Sequence, residues 1–160
     1  MQLSDITAAE LDIVLALNEA SVPHVSSIDL AQMRWFASNA FYFRVARIDD
    51  QFAGFLIGLR PGLDYGSENY RWFCSNYGDF GYIDRVAVTA SARRLGVASR
   101  LYDDFADSLR GQVECMTCEV NTRPPNETSM RYHTTHGFVQ VASQETENGT
   151  KEVAMLEKKL

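Results

Sequence analysis

Cysteine is scarce in this chain, and long apolar stretches are missing. Only Cys74, Cys115 and Cys118 occur among the 160 residues, which is too few for a disulfide framework and leaves an odd thiol. Reduced thiols are typical of a cytoplasmic protein. No apolar run approaches the roughly 20 residues that span a bilayer, and residues 1–5 lack the basic and apolar regions of a signal peptide. We therefore expect a cytoplasmic protein without a membrane partner.

Positive charge is also in short supply. Lys and Arg number 15 against 21 Asp and Glu, which gives a formal net charge of -6. Proteins that bind nucleic acid usually carry a basic stripe, and none is visible, so we expect no nucleic-acid partner. The 46% of hydrophobic and 22% of charged residues are typical of a globular protein. Without an internal repeat or a low-complexity linker, residues 1–160 are expected to form a single domain.

Local patterns predict a series of helices and strands. Thr7 and Glu10 form a capping box for a first helix, and Ser26 or Ser27 can cap a second one, with Met33 on its apolar face. The predicted elements are, in order, two helices at about 7–21 and 27–37, a hairpin of strands 41–48 and 52–59, a strand 82–88, a helix 98–109, a strand 113–120, a short helix 126–136, and strands 138–141 and 152–156. This order predicts an α+β fold, a mixed and mostly antiparallel central sheet flanked by helices.

Residues 60–80 show no clear period, although six aromatic side chains stand there among glycines and acids. A loop of that length inside a compact domain is either functional or a misassigned element. Two hypotheses therefore stay open, a binding loop and a short helix or covered sheet edge that packs its aromatic rings.

The most informative segment is 86–99, where a strand leads into a turn and the turn into a helix. The first turn of a helix leaves backbone N–H groups unpaired, and the helix dipole favours an anion there. Gly96 lets the backbone approach phosphate oxygens, Ala98 is small, and Arg93 and Arg94 add positive charge. The pattern predicts a phosphate or pyrophosphate site, with an ordinary helix start and a chance glycine as the alternative.

The same residues carry a resemblance to a known family. The spacing Arg93-x-x-Gly96-x-Ala98 resembles the Gln/Arg-x-x-Gly-x-Gly/Ala signature of the GNAT superfamily of N-acetyltransferases. A second segment, residues 126–138, is similar to the later motif of that family, Asn-x-x-Ala/Ser-x-x-aromatic-Tyr/His-x-x-x-Gly-Phe. The order of elements also matches the family's fold. The resemblance therefore covers nearly the whole chain.

This resemblance implies a cosubstrate and a reaction. The chain would bind acetyl-CoA and transfer the acetyl group to a primary amine of a small molecule or peptide, by direct attack within a ternary complex. In the family the turn holds the CoA pyrophosphate, and the preceding strand offers backbone groups to the pantetheine arm. The implied CoA-binding residues are Val86, Ala87, Val88, Arg93, Arg94, Gly96, Val97, Ala98, Ser99, Asn126 and His133. Dimers are frequent in the family, so a homodimer is possible.

The candidate catalytic residues are two carboxylates and one imidazole. A protonated amine must lose a proton before it attacks. In the family a carboxylate on the strand before the turn or on the next strand can take that proton, which makes Asp84 and Glu119 the candidates for the base. His133 stands where the family often has a catalytic Tyr, and an imidazole can protonate the departing thiolate because it titrates near neutrality. Each carboxylate is equally compatible with an ordinary hydrogen-bonded role.

Two alternatives belong to other classes of protein. The same fold could serve as a non-catalytic CoA-binding or sensing module, which keeps the phosphate turn but lacks a working base. The spacing of Cys115, Cys118, His133 and His136 resembles that of a zinc finger. On a strand, however, a separation of three residues points the two cysteines to opposite faces, whereas a zinc site needs all four ligands to converge. We therefore expect no metal.

Overall fold

A computed structural model describes all 160 residues of the chain. It contains seven strands and five α-helices. In chain order they are β1 (Gln2–Asp5), α1 (Leu11–Ala20), α2 (Leu30–Asn39), β2 (Tyr42–Ile48), β3 (Gln51–Leu59), α3 (Glu68–Asn76), β4 (Gly81–Val88), α4 (Val97–Leu109), β5 (Cys115–Arg123), α5 (Glu127–Thr135), β6 (Val139–Thr146) and β7 (Lys151–Lys159). None of these helices has the length and apolar character that crossing a membrane requires.

The strands form one sheet in the order β1-β2-β3-β4-β5-β7-β6. Pairing is antiparallel from β1 to β3 and between β5, β7 and β6, whereas β4 and β5 run parallel. This confirms the predicted α+β fold with a mixed, mostly antiparallel sheet. The chain divides into two compact units, residues 1–59 with 83–108 and residues 60–82 with 109–160, and both take part of β4.

The first unit begins as its sequence pattern predicts and then departs from the prediction at α2. The backbone N–H of Thr7 donates to the Glu10 carboxylate at 2.9 Å, which forms the expected cap before α1. The cap of α2 is Asp29, which accepts from the Gln32 N–H at 2.8 Å. The prediction of Ser26 or Ser27 was wrong because both hydroxyls bind other side chains. The buried residues of α2 are Met33 and Phe36.

The hairpin of β2 and β3 matches its prediction, and two glycines in β3 explain how tightly it is packed. Asp49 and Asp50 form the turn with φ values of 50° and 63°, the left-handed pair that a two-residue hairpin requires. A Cβ at Gly54 would lie 2.6 Å from the Ala87 carbonyl oxygen, and one at Gly58 would lie 2.5 Å from the Phe105 ring. Both positions therefore need a residue without a side chain.

The second unit contains α3, a helix that the sequence pattern did not identify. Ser67 caps it by accepting the Tyr70 N–H at 3.2 Å. Tyr70 and Phe73 are buried and stand 5.5 and 5.8 Å from the ring of Tyr82 on β4, measured between ring centroids. Of the two hypotheses for residues 60–80, this confirms the short helix that packs its aromatic rings.

Replacing Gly58 by Ala should destabilise the protein, because the added Cβ would overlap the buried ring of Phe105. Overpacking of this kind costs about 1–3 kcal/mol. The free energy of unfolding in urea measures the effect, and Gly66→Ala is the control, since a Cβ there meets no atom within 4 Å. Equal urea midpoints for the two variants would contradict the prediction.

Candidate active site

The predicted phosphate turn lies between β4 and α4 and is anchored at both ends. Ala92 and Val97 are buried, with exposed fractions of 5% and 1%, whereas residues 93–96 between them are exposed. The carbonyl of Gly96 accepts the Arg100 N–H at 3.0 Å, so Gly96 is the N-cap residue that precedes α4. The exposed residues therefore stand at the start of a helix whose position is fixed by its buried neighbours.

Gly96 keeps the space in front of that helix open. Its φ is +79°, and a Cβ built there would meet no protein atom within 4 Å. The N–H groups of Val97 and Ala98 belong to the first turn, where a helix supplies no acceptor of its own, and they lie at the positive end of the helix dipole. Arg93 and Arg94 are exposed beside them. A pyrophosphate group fits these donors, this charge and this open space.

The strand that leads into the turn presents alternate residues to its two faces. Arg85 and Ala87 are buried, whereas Asp84, Val86 and Val88 are partly exposed. By this alternation Asp84 lies on the same side of β4 as the two valines. After β4 the Thr89 N–H donates to the Ala53 carbonyl at 2.9 Å, so the chain enters the turn with its backbone bound to β3.

Asp84, the first candidate base, is engaged in an ion pair. Its Oδ2 accepts from Nε of Arg85 at 2.6 Å, and both side chains are only 3% exposed, so the partial exposure of Asp84 as a residue comes from its backbone. Removing one partner of such a pair leaves an uncompensated buried charge. The structure therefore gives Asp84 a stabilising contact that a role as proton acceptor would disturb.

Glu119, the second candidate base, is bound by a tyrosine. The hydroxyl of Tyr82 on β4 donates to Glu119 Oε2 on β5 at 2.8 Å. Tyr82 is fully buried and Glu119 is partly exposed. The hydrogen bond orients the carboxylate on a rigid phenol, which is itself packed against the aromatic residues of α3. Sequence patterns gave no sign of this contact, because the partners are separated by 37 residues.

His133 lies inside the protein with only 4% of its surface exposed. Its Nδ1 is 2.8 Å from the Ser129 carbonyl oxygen, an acceptor only, so Nδ1 carries a proton. The imidazole also meets the ring of Phe138 edge-on at 5.0 Å between centroids. Burial is the main cause that lowers the pKa of His133 from its ordinary value. The neutral ring is therefore favoured at neutral pH, which counts against a strong proton-donor role.

Asn126 begins α5 as a helix cap. Its Oδ1 accepts the Ser129 N–H at 3.1 Å, and its own N–H donates to the Asn121 carbonyl at 2.9 Å. The predicted short helix and its start are thereby confirmed. The cap orients the Asn126 side chain at the end of the loop that follows β5.

The zinc hypothesis finds no support in the geometry. Cys115 and Cys118 are both buried on β5 and unpaired with one another. No group of three or more His, Cys, Asp or Glu side chains is arranged to hold a metal ion.

Comparison with known proteins identifies the family. The acetyltransferase (GNAT) family model matches residues 11–138, which is most of the chain. The chain therefore belongs to the GNAT family of acetyltransferases, whose members use acetyl-CoA. The resemblance to the GNAT superfamily is confirmed. No curated protein sequence matches the chain.

The fold is shared with acetyltransferases of known structure. The ribosomal-protein-S18-alanine N-acetyltransferase from Escherichia coli has a TM-score of 0.74 at 11% identity, covering 99% of this chain and 92% of that one. Naa20 from Chaetomium thermophilum, in complex with a bisubstrate analogue, has a TM-score of 0.76 at 15% identity, covering 100% of this chain and 87% of that one. A chain of the NatC complex bound to Gag peptide and CoA has a TM-score of 0.76 at 14% identity, covering 99% of this chain and 98% of that one.

Replacing His133 by Leu should reduce the loss of stability on acidification. Burial holds the pKa of folded His133 below its ordinary value of 6.5, so the unfolded chain binds the proton first as the pH falls. Stability that is present above about pH 6.5 is then lost below it. Thermal unfolding at about pH 7.5 and about pH 5.5 should show a larger fall in Tm for the wild type than for the variant. An equal fall would contradict the buried neutral imidazole.

Proposed function

We propose that this protein is an N-acetyltransferase that moves the acetyl group of acetyl-CoA to a primary amine of a small molecule or peptide. The amine would attack directly, within a ternary complex. Membership of the GNAT family supports acetyl transfer in general. The observation that carries the proposal for this chain is the open turn at Gly96, where a left-handed glycine, first-turn N–H groups and two exposed arginines suit a pyrophosphate.

The binding residues follow the order of the chain. The side chains of Arg93 and Arg94 and the backbone N–H groups from Gly96 to Ser99 would hold the pyrophosphate. The backbone of Val86, Ala87 and Val88 would hold the pantetheine arm, as β-strand groups hold a neighbouring strand. Asn126 belongs to the proposed binding set, whereas His133 is buried and offers the coenzyme little accessible surface. Acetyl-CoA supplies a thioester carbonyl that is activated for attack by an amine.

Glu119 is the base that the geometry favours. Its carboxylate is partly exposed and is oriented by the Tyr82 hydroxyl, so it can take a proton from the incoming ammonium group, directly or through water. The neutral amine nitrogen then bonds to the carbonyl carbon, the carbon–sulfur bond breaks, and the nitrogen releases its second proton to solvent or to the departing thiolate. A backbone N–H of β4 near Val88 would stabilise the charge that develops on the carbonyl oxygen.

Asp84 and His133 have smaller parts in this proposal. Asp84 is the alternative base, but its ion pair with Arg85 favours a supporting role. His133 is the candidate donor to the departing thiolate. Its lowered pKa leaves little imidazolium at neutral pH, and a free thiol has a pKa of about 8.5, so the thiolate needs little assistance.

The acceptor remains an amine whose identity must be tested. Two of the structural relatives are named for a ribosomal-protein alanine and for a bound peptide, which supports including peptide α-amines. The acidic chain also suits a small cationic amine. A panel of spermidine, lysine amide, an aminoglycoside and tetrapeptides with free amino termini covers these classes. Thiol release from acetyl-CoA supports the enzyme, and binding without release under every condition would favour the non-catalytic module.

Gly96→Trp should abolish acetyl-CoA binding, because the indole would fill the open space and force a side chain into left-handed backbone. Isothermal titration calorimetry measures the dissociation constant. Gly111→Trp is the matched control, since Gly111 also has positive φ, 74°, and open space around its Cβ position, but follows the other end of α4. Wild-type affinity in Gly96→Trp, with the protein folded, would refute the phosphate turn.

Glu119→Gln should lower kcat at neutral pH by about a hundredfold or more, the effect of losing a general base, with the acetyl-CoA dissociation constant unchanged. Asp84→Asn should instead lower Tm, because it leaves the buried guanidinium of Arg85 without its carboxylate. Steady-state kinetics and thermal unfolding of both variants distinguish the roles. A larger kcat loss in Asp84→Asn than in Glu119→Gln would make Asp84 the base.

A further inference from the structure

Arg85 is a buried arginine that no step of the proposed reaction uses. It projects from β4, and its guanidinium lies 4.9 Å from the centroid of the Phe36 ring. Besides the ion pair with Asp84, one terminal nitrogen donates to Asn18 Oδ1 at 3.0 Å and to the Ser26 carbonyl at 3.3 Å. The other donates to the Ser26 hydroxyl at 3.3 Å. The fork of one side chain thus connects β4, α1 and the segment after α1.

That segment is the α1–α2 loop, residues 21–29, and Glu19 holds it from the solvent side. Glu19 Oε1 accepts the Ile28 N–H at 3.0 Å and the Asn18 side-chain amide at 2.9 Å. Glu19 Oε2 accepts the Ser27 hydroxyl at 2.7 Å. Asn18 is fully buried and joins the two anchors, so a continuous chain of hydrogen bonds runs from Arg85 to the loop.

Burying the charge of Arg85 costs desolvation free energy, which indicates that the arrangement serves a purpose beyond packing. Ile83 and Ala87 occupy the same buried face of β4 as Arg85, and an apolar residue there would avoid the desolvation of a charge. A buried ion pair adds little net stability compared with well-packed apolar side chains. The planar guanidinium does supply donors in a rigid fork, which fixes where Ser26 lies relative to β4.

The direction of β4 connects this anchor with the proposed reaction. The pyrophosphate would lie at the turn after the strand's C-terminal end, and the pantetheine arm along Val86–Val88. The thioester end of acetyl-CoA would therefore point back towards the N-terminal half of β4. Arg85 directly precedes Val86, so it ties the α1–α2 loop to β4 beside the proposed thioester end.

We infer that Arg85 is a positioning residue for the acceptor amine, which acts by holding the α1–α2 loop as a wall of the acceptor site. The inference rests on the proposed acetyl transfer. A looser loop would weaken binding of the acceptor amine. Acetyl-CoA, which the turn and the valines would hold, would keep its affinity. A residue that only stabilised the fold would affect both substrates alike.

Two variants test this inference from opposite sides of the loop. Arg85→Lys keeps the charge but loses the fork. Glu19→Ala removes an exposed anchor and leaves every hydrogen bond of Arg85 in place. The matched control is Arg44→Lys, because Arg44 on β2 also forms charge-assisted hydrogen bonds, in its case with the carboxylates of Asp5 and Asp104, and none with the loop anchors.

The experiment uses the best amine of the acceptor panel and acetyl-CoA. We expect the acceptor KM to rise about tenfold in Arg85→Lys, the effect of losing a charge-assisted hydrogen bond, and to rise by a smaller factor in Glu19→Ala. The acetyl-CoA dissociation constant, measured by calorimetry, should stay within about twofold. Amide hydrogen exchange should become faster in residues 21–29 in both variants. Arg44→Lys should change neither KM nor exchange in the loop.

The outcomes separate this inference from the proposed function. Wild-type acceptor KM in both variants, or a parallel rise for both substrates, would overturn the positioning role while acetyl transfer stands. If Arg85→Lys does not fold, the surface variant Glu19→Ala decides the question by itself. A wild-type protein that acetylates no amine of the panel would overturn the proposed function and the positioning role with it, whatever the exchange rates in the loop.

Discussion

The close approach of β3 to the end of β4 is the constraint on which the phosphate turn depends. Gly54 brings two backbones so near that a Cβ would lie 2.6 Å from the Ala87 carbonyl and 3.3 Å from Val97. The hydrogen bond from Thr89 to Ala53 then fixes the strand as it leaves the sheet. The exposed residues of the turn therefore lie between two fixed points, and the Leu95 N–H donates to the Ala92 carbonyl at 3.3 Å within it.

A second dependence runs through aromatic packing. The rings of Tyr70 and Phe73 on α3 hold Tyr82, and Tyr82 holds Glu119. A helix that the proposed reaction does not use thus orients this carboxylate. Catalytic geometry usually depends on such supporting contacts. Here they run from α3 through Tyr82 on β4 to Glu119 on β5.

Features that depend on residues close together in the sequence could be predicted, whereas contacts between distant residues could not. The turn at Gly96 and the cap at Asn126 depend on neighbours a few residues away, and both were found. Helix α3 stayed one of two hypotheses because its buried residues, Tyr70 and Phe73, make up less than one helical repeat and stand among other aromatic residues. Arg85 was overlooked because its partners come from a distant loop, although a charged residue on the buried face of a strand was a usable signal. The pairing of Tyr82 with Glu119 had no local signal.

The anchoring of the turn by Ala92 and Val97 also separates two properties that proteins often couple. Folding free energy at this point comes from the two buried residues, whereas the proposed attraction for an anion comes from the exposed residues between them and the first N–H groups of α4. On the proposed function, exchange of the surface arginines would shift the acetyl-CoA concentration at which the protein saturates, with little effect on thermal stability. Selection could then change the affinity for the coenzyme and the thermal stability of this protein independently.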